Sequence, residues 1–126
     1  LEGIELVING VKAEAEATAT VNIGEESYVG KASGTSVMKN RLRLIALATL
    51  NAIENYLNGT IRFMLEDVQK ISFIGRETII TGVSLVTPNG EETLVGCALV
   101  MGDDLETAAK AILDTLNRRL VLLKKV

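Results

Sequence analysis

"EESYVGKA" occupies Glu25–Ala32 and "EETLVGCA" occupies Glu91–Ala98, so nearly the same phrase is written twice, 91 − 25 = 66 residues apart. Laying residues 24–51 on 90–117 needs no gap. Gly24, Glu25, Glu26, Val29, Gly30, Ala32, Leu47, Thr49, Leu50 and Asn51 each recur as the same residue 66 positions on. Two clusters of identity in one register point to an internal duplication rather than coincidence. Upstream, "VKAEAEATATVNI" alternates Val11, Ala13, Ala15, Ala17, Ala19 and Val21 with polar residues. That period of two belongs to a half-buried strand. In the second copy Ile79, Thr81, Val83 and Leu85 take the same face.

Each of these strands reaches a turn, "VNIGEE" in the first copy and "TPNGEE" in the second. Pro88-Asn89-Gly90 is the stronger signal, because Pro presets φ and Asn-Gly tolerates positive φ. The repeated phrase is then the returning strand of a hairpin. Gly30 and Gly96 fall in the middle of that strand, where glycine marks a bulge or a close approach by other backbone. Tight packing of a helix on the sheet is the plainer reading of the two, and a ligand role is the other.

A helix closes each unit. The first is expected over Val37–Leu57, with Leu42, Ile45, Ala46, Thr49 and Ile53 in one stripe. Leu44, Leu47 and Ala48 widen that stripe beyond what one sheet covers, so a second partner is required, within the chain or across a dimer. The second helix begins near Asp103, an N-cap with Glu106 completing a capping box, and Leu105, Ala108, Ala109, Ile112 and Leu116 form its stripe. Arg118 and Arg119 suit its carbonyl end. An additional strand precedes each hairpin, at Gly3–Ile8 and at Val68–Ile74, the latter ending in "IGRE". Asn58-Gly59 stops the first helix and marks the junction. The chain is expected to be one α+β domain, a tandem pseudo-twofold duplication of a strand-strand-strand-helix unit with helices packed on antiparallel sheet. The repeats run about 3–58 and 61–123. A single three-stranded sheet with one helix leaves apolar surface uncovered, so two units must pack together.

Composition narrows the chemistry. A chain of 126 residues with 48% hydrophobic content has enough core to fold without disulfide or metal. Two Phe, two Tyr and no Trp leave that core to Val, Ile, Leu and Ala. No histidine and one cysteine remove His-based general bases, His/Cys zinc clusters and intrachain disulfides. Cys97, in a strand, reads as a small buried hydrophobe rather than a nucleophile. No cofactor is expected. A net charge of −3 disfavours nucleic acid and anionic membranes as partners. Arg41, Arg43, Arg118, Arg119, Lys124 and Lys125 are the cations that could cluster, but there are few aromatic residues to stack bases. No apolar run approaches the ~20 residues that span a bilayer. A cytoplasmic location is the default, and an opening Leu in place of Met is consistent with a piece of a longer polypeptide.

The tandem units, the loops before each helix and the closing "AAKAILDTLNRRL" resemble the C-terminal regulatory domain of 2-isopropylmalate synthase. "LEDVQKISFIG" is similar to that family's opening strand of the second unit, and "EESYVGKASG" to its returning strand. The resemblance implies a non-catalytic domain that forms a homodimer and holds an amino acid near the interface, on the loops leading into the two helices. By position those loops are Ser33-Gly34-Thr35-Ser36 and Met101-Gly102-Asp103-Asp104. The first has Thr35-Ser36-Val37 where the family often has Gly-Pro, and no catalytic barrel accompanies the domain.

The residues of the loops support a similar expectation. Gly34, Thr35 and Ser36 precede a helix, whose free N–H groups favour a carboxylate or phosphate. The plainer alternative is that Ser36 caps its own helix. Gly102, Asp103 and Asp104 complete the candidate site, the two carboxylates matching an ammonium group. A small metabolite such as an amino acid presents both charges. Two other classes remain open. One is a dimerisation or interaction module without ligand. The other is a small enzyme using Glu25, Glu26, Glu91 or Glu92, though neighbours on a strand face opposite ways and solvation just after a turn is the simpler reading.

Overall fold

The computed structural model describes residues 3–9 and 12–123, with side chains described at all of these except 38, 39 and 118–123. Strand, strand, strand, helix occurs twice. The first unit holds β1 (Gly3–Asn9), β2 (Glu14–Ile23), β3 (Glu26–Thr35) and α1 (Met38–Tyr56). The second holds β4 (Arg62–Phe73), β5 (Arg76–Thr87), β6 (Gly90–Leu99) and α2 (Asp104–Leu123). Each trio is an antiparallel meander, ordered β1-β2-β3 and β4-β5-β6.

Turn chemistry sets the hairpins. Gly24, at φ +67°, and Glu25 join β2 to β3. Pro88 and Asn89 join β5 to β6, with the Thr87 hydroxyl accepting from the Asn89 N–H at 3.1 Å. Ile74 and Gly75, both at positive φ, form the tip between β4 and β5. Positive φ at Asn58 and Gly59 ends α1 as the sequence suggests.

Several expectations need correction. Ala13 sits in a turn at φ +52°, so β2 begins at Glu14, and Val11 lies outside the described residues. β4 starts at Arg62 rather than Val68, because Ile61, Phe63 and Leu65 already alternate toward the core. A bulge at Glu66 then shifts the register, so that Val68 faces inward in its turn. The 66-residue offset holds for the returning strands and helices, since α1 and α2 start 104 − 38 = 66 residues apart. It fails for the outgoing strands: Gly30 pairs with Ala19 and Gly96 with Thr81, an offset of 81 − 19 = 62. The second hairpin is longer by four residues. Cys97 faces outward and is exposed, because Gly96 takes the inward position beside it. Arg118 and Arg119 lie outside the described side chains, as do Lys124 and Lys125.

The core is shared by the two units. Ala15, Ala17 and Ala19 of β2 pack with Leu44, Ile45 and Ala48 of α1, and also with Ile79 of β5 and Ala108 of α2. On the other side of α1, Ala46, Leu50 and Ile53 pack with Leu65, Val83 and Leu85 of the second sheet and Ile112 of α2. The second partner demanded by the wide apolar surface of α1 is therefore the other half of the same chain. Each helix also reaches the first strand of the other unit, α1 against β4 and α2 against β1.

The paired glycines let the helices approach. A Cβ at Gly30 would lie 2.1 Å from the Ala48 carbonyl oxygen and 2.2 Å from the Ala52 nitrogen. At Gly96 it would lie 2.6 Å from the Thr115 Cα. Thr115 in turn hydrogen-bonds Thr81 at 2.6 Å and donates to the Ala111 carbonyl, satisfying a buried hydroxyl pair. Gly30→Ala and Gly96→Ala should each lower stability by at least about 2 kcal/mol in urea unfolding, because backbone must move. Gly3→Ala, whose Cβ meets nothing within 4 Å, should change it by no more than about 0.5 kcal/mol.

Candidate functional site

The two stretches expected to hold a ligand are built differently. Gly34 and Thr35 are the last residues of β3, paired with Ala15 and Glu14, rather than parts of a free loop. The bare Gly34 admits Asn40 and Leu44, each 3.2 Å from where its Cβ would stand. Asn40 folds back to donate to the Thr35 carbonyl at 2.8 Å. Ser36 does not cap α1. Its N–H donates to the Ala13 carbonyl at 2.9 Å, and the N-cap is Val37, extended at φ −111° with no side-chain capping bond.

At the second stretch the N-cap is Asp103, as its sequence context predicts. Its carboxylate accepts from the Leu105 N–H at 3.0 Å and its carbonyl from the Thr107 hydroxyl at 2.7 Å. Glu106 turns to Lys110, 3.3 Å away, instead of back to the cap. Gly102 takes φ +116° at the corner. Asp104 does pair with an ammonium group, and that group is Lys70 of β4 at 2.9 Å. Lys70 also meets Glu77 at 2.6 Å, and these two bonds, Glu77 foremost, raise its pKa above the ordinary lysine value.

A cleft of about 610 Å³ opens beside the first stretch, lined by Thr35, Val37, Asn40, Arg43, Asp67 and Val68. It lies between the β3–α1 junction and β4, so one wall comes from each unit. Arg43 also reaches the Leu65 carbonyl at 3.4 Å, bridging α1 to β4. The cleft lining includes a guanidinium, Arg43, and a carboxylate, Asp67, with Val37 and Val68 as apolar wall. The Asp67 carboxylate accepts from the Val68 N–H at 2.9 Å and from the Gln69 amide at 2.6 Å. Of the expected site residues only Thr35 lines the cleft. Gly34 and Ser36 are neighbours in the chain, while Gly102, Asp103 and Asp104 belong to the other stretch. Arg43 and Asp67 carry no sequence motif; only the approach of β4 to α1 brings them together.

The remaining candidates separate cleanly. Glu25, Glu26 and Glu91 are exposed near hairpin tips, and Glu92 is half-buried. Arg41 is half-buried and Arg43 is engaged as described; the other cations named from the sequence lie outside the described side chains. No group of three or more metal-ligating side chains occurs among the described residues. No helix among them is long and apolar enough to cross a membrane. Compared with known proteins, the chain matches no family model and no curated protein.

Asp103→Ala should cost about 1 kcal/mol of unfolding free energy through loss of the cap. Ser36→Ala should stay within about 0.5 kcal/mol, and chemical denaturation of both variants checks the contrast. Lys70 offers a pH test. A lysine with a raised folded-state value favours folding while protonated. That contribution is complete below its unfolded value, about 10.4, and fades as pH climbs through the folded value. The melting-temperature advantage of the parent protein over Lys70→Gln should therefore be constant from pH 7 to 9 and shrink above about pH 10.4. The advantage is small, since the pair is exposed to solvent.

Proposed function

We propose that this chain is a non-catalytic regulatory and assembly domain of the cytoplasm, one that binds a small zwitterionic metabolite such as an amino acid and associates as a homodimer. The observation that carries the reading is the cleft at the head of α1. Its volume lies within the usual range for small-ligand sites, about 300–1,000 Å³. Arg43 matches a carboxylate and the valines match an aliphatic side chain, while Asp67, which accepts from the Val68 N–H and the Gln69 amide, keeps lone pairs for an ammonium group. The duplicated strand-strand-strand-helix architecture supports the resemblance to the regulatory domain of 2-isopropylmalate synthase, from which the ligand class and the pairing of subunits are carried over as part of the proposal. Both walls of the cleft come from different units, so a ligand there would bias how the units sit against one another, which is what regulation requires.

A second reading has its own observation. Asp103 is committed to its helix and Asp104 to Lys70, so the second stretch has its charges answered within the chain. That favours a bare interaction module, in which the cleft serves only as space between elements.

Thermal unfolding against a panel of amino acids and small organic acids separates the two. A ligand at a hundredfold excess over its dissociation constant should add about 2.7 kcal/mol of stability. Arg43→Met should abolish the gain, and Asp103→Ala should keep it. No stabilisation by any member of the panel would remove the ligand-binding reading, and a gain untouched by Arg43→Met would remove the cleft.

A further inference from the structure

The first unit carries a contact at the head of its helix that the second unit lacks. A Cβ at Gly34 would stand 3.2 Å from the Asn40 amide nitrogen, so the bare glycine is what lets Asn40 lie there. That nitrogen donates to the Thr35 carbonyl at 2.8 Å and fastens α1 to the end of β3. A carbonyl accepts only from the nitrogen end of an amide, so this bond fixes which way the Asn40 side chain is turned. The other end, Oδ1, accepts no hydrogen bond from the described residues, and Asn40 is half-buried in the lining of the cleft. The offset of 66 residues puts Val100 at the place of Gly34 and Glu106 at that of Asn40. Val100 packs on the core, and Glu106 turns along α2 to Lys110. The second unit folds on the same plan without the contact, so folding alone does not require it.

We infer that Asn40 makes the cleft select ligands carrying a protonated amine, with Gly34 as the positioning residue that gives it room. This selection rests on the proposed reading of the cleft as a small-ligand site and adds to it the group that tells one ligand from another. Arg43 offers only donors, whereas Asn40 Oδ1 and the remaining lone pairs of Asp67 offer only acceptors. An ammonium group brings three N–H donors and no acceptor. A 2-hydroxy acid of the same shape brings one O–H donor in its place, and a plain carboxylic acid brings none. All three present the same carboxylate to Arg43, so Arg43 does not distinguish them. What distinguishes them is whether the acceptors of the lining are left unpaired once water is displaced. Asp67 already receives two hydrogen bonds within the chain. Asn40 Oδ1 receives none, so its capacity is open to the ligand.

Isothermal titration of the whole chain tests this with matched probes: valine and norvaline, each beside the 2-hydroxy acid and the carboxylic acid that carry the same side chain. The parent should bind each amino acid at least about tenfold more tightly than either amine-free analogue, as one hydrogen bond to a charged group implies. Asn40→Leu keeps the size and loses the acceptor. It should weaken amino-acid binding by about tenfold or more and leave the analogues within about twofold of their parent values. Gly34→Ala should shift the same ratio in the same direction, because the added methyl presses on the Asn40 amide. A merely structural Asn40 would weaken all the probes together, and that result would overturn the selection while leaving the cleft as a ligand site. Equal binding of all three probe classes by the parent would do the same. An unchanged ratio in Gly34→Ala would remove Gly34 from its positioning role. If no probe binds the parent, or if binding survives Arg43→Met, the reading of the cleft fails and the selection with it.

Discussion

The structure depends on one packing constraint, the burial of α1 on nearly every side. Leu44, Ile45, Ala46, Ala48, Leu50, Ala52 and Ile53 are all buried, a set too wide for one sheet to cover. Sheet β1-β2-β3 takes one side of the helix, while β4, β5 and α2 take the other. Small residues make this possible. The alanines of β2 and the glycine at position 30 let the helix backbone come within van der Waals distance of the strand, so shape rather than bulk fills the interior. A core with few aromatic residues has little tolerance for misfit, and the two glycines are where that intolerance concentrates.

The two halves obey one plan and diverge where the second half carries extra duties. The first unit uses Ala19 beside Gly30; the second uses Thr81 beside Gly96 and closes the gap with a buried hydroxyl pair to Thr115. The second hairpin is four residues longer and its first strand bulges at Glu66, which turns Val68 toward the core and leaves Asp67 on the rim of the cleft. β4 thereby serves three neighbours: the core, the cleft beside α1, and Asp104 at the head of α2 through Lys70. An irregular strand does work that its regular counterpart β1 does not.

Much of this was legible in the sequence, and the limits have physical reasons. The 66-residue phrase revealed the duplication, the alternation on β2 and β5 revealed their inner faces, and Asp103 announced its helix. The mid-strand glycines read correctly as close packing. The start of β4 lies just past the helix stop at Asn58-Gly59, where Ile61, Phe63 and Leu65 carry a period of two too short to stand apart from the junction. Ser36 misled because hydroxyl residues before a helix usually cap it, and only the bond from its N–H to Ala13 shows why it does not. Cys97 was placed in the right strand on the wrong face, since one residue of parity decides inside from outside. That Arg43 and Asp67 line one cleft had no signal at all, because it arises from contact between units rather than from either unit's own pattern.

The account turns on mutual completion, and separating the halves tests it most directly. Residues 3–58 and 61–123, produced as two polypeptides, can be followed by circular dichroism and two-dimensional NMR, alone and mixed. Neither half alone should unfold cooperatively as a monomer, and mixing should restore dispersed spectra with one-to-one stoichiometry. A single half that shows a sharp unfolding transition independent of concentration would contradict the account.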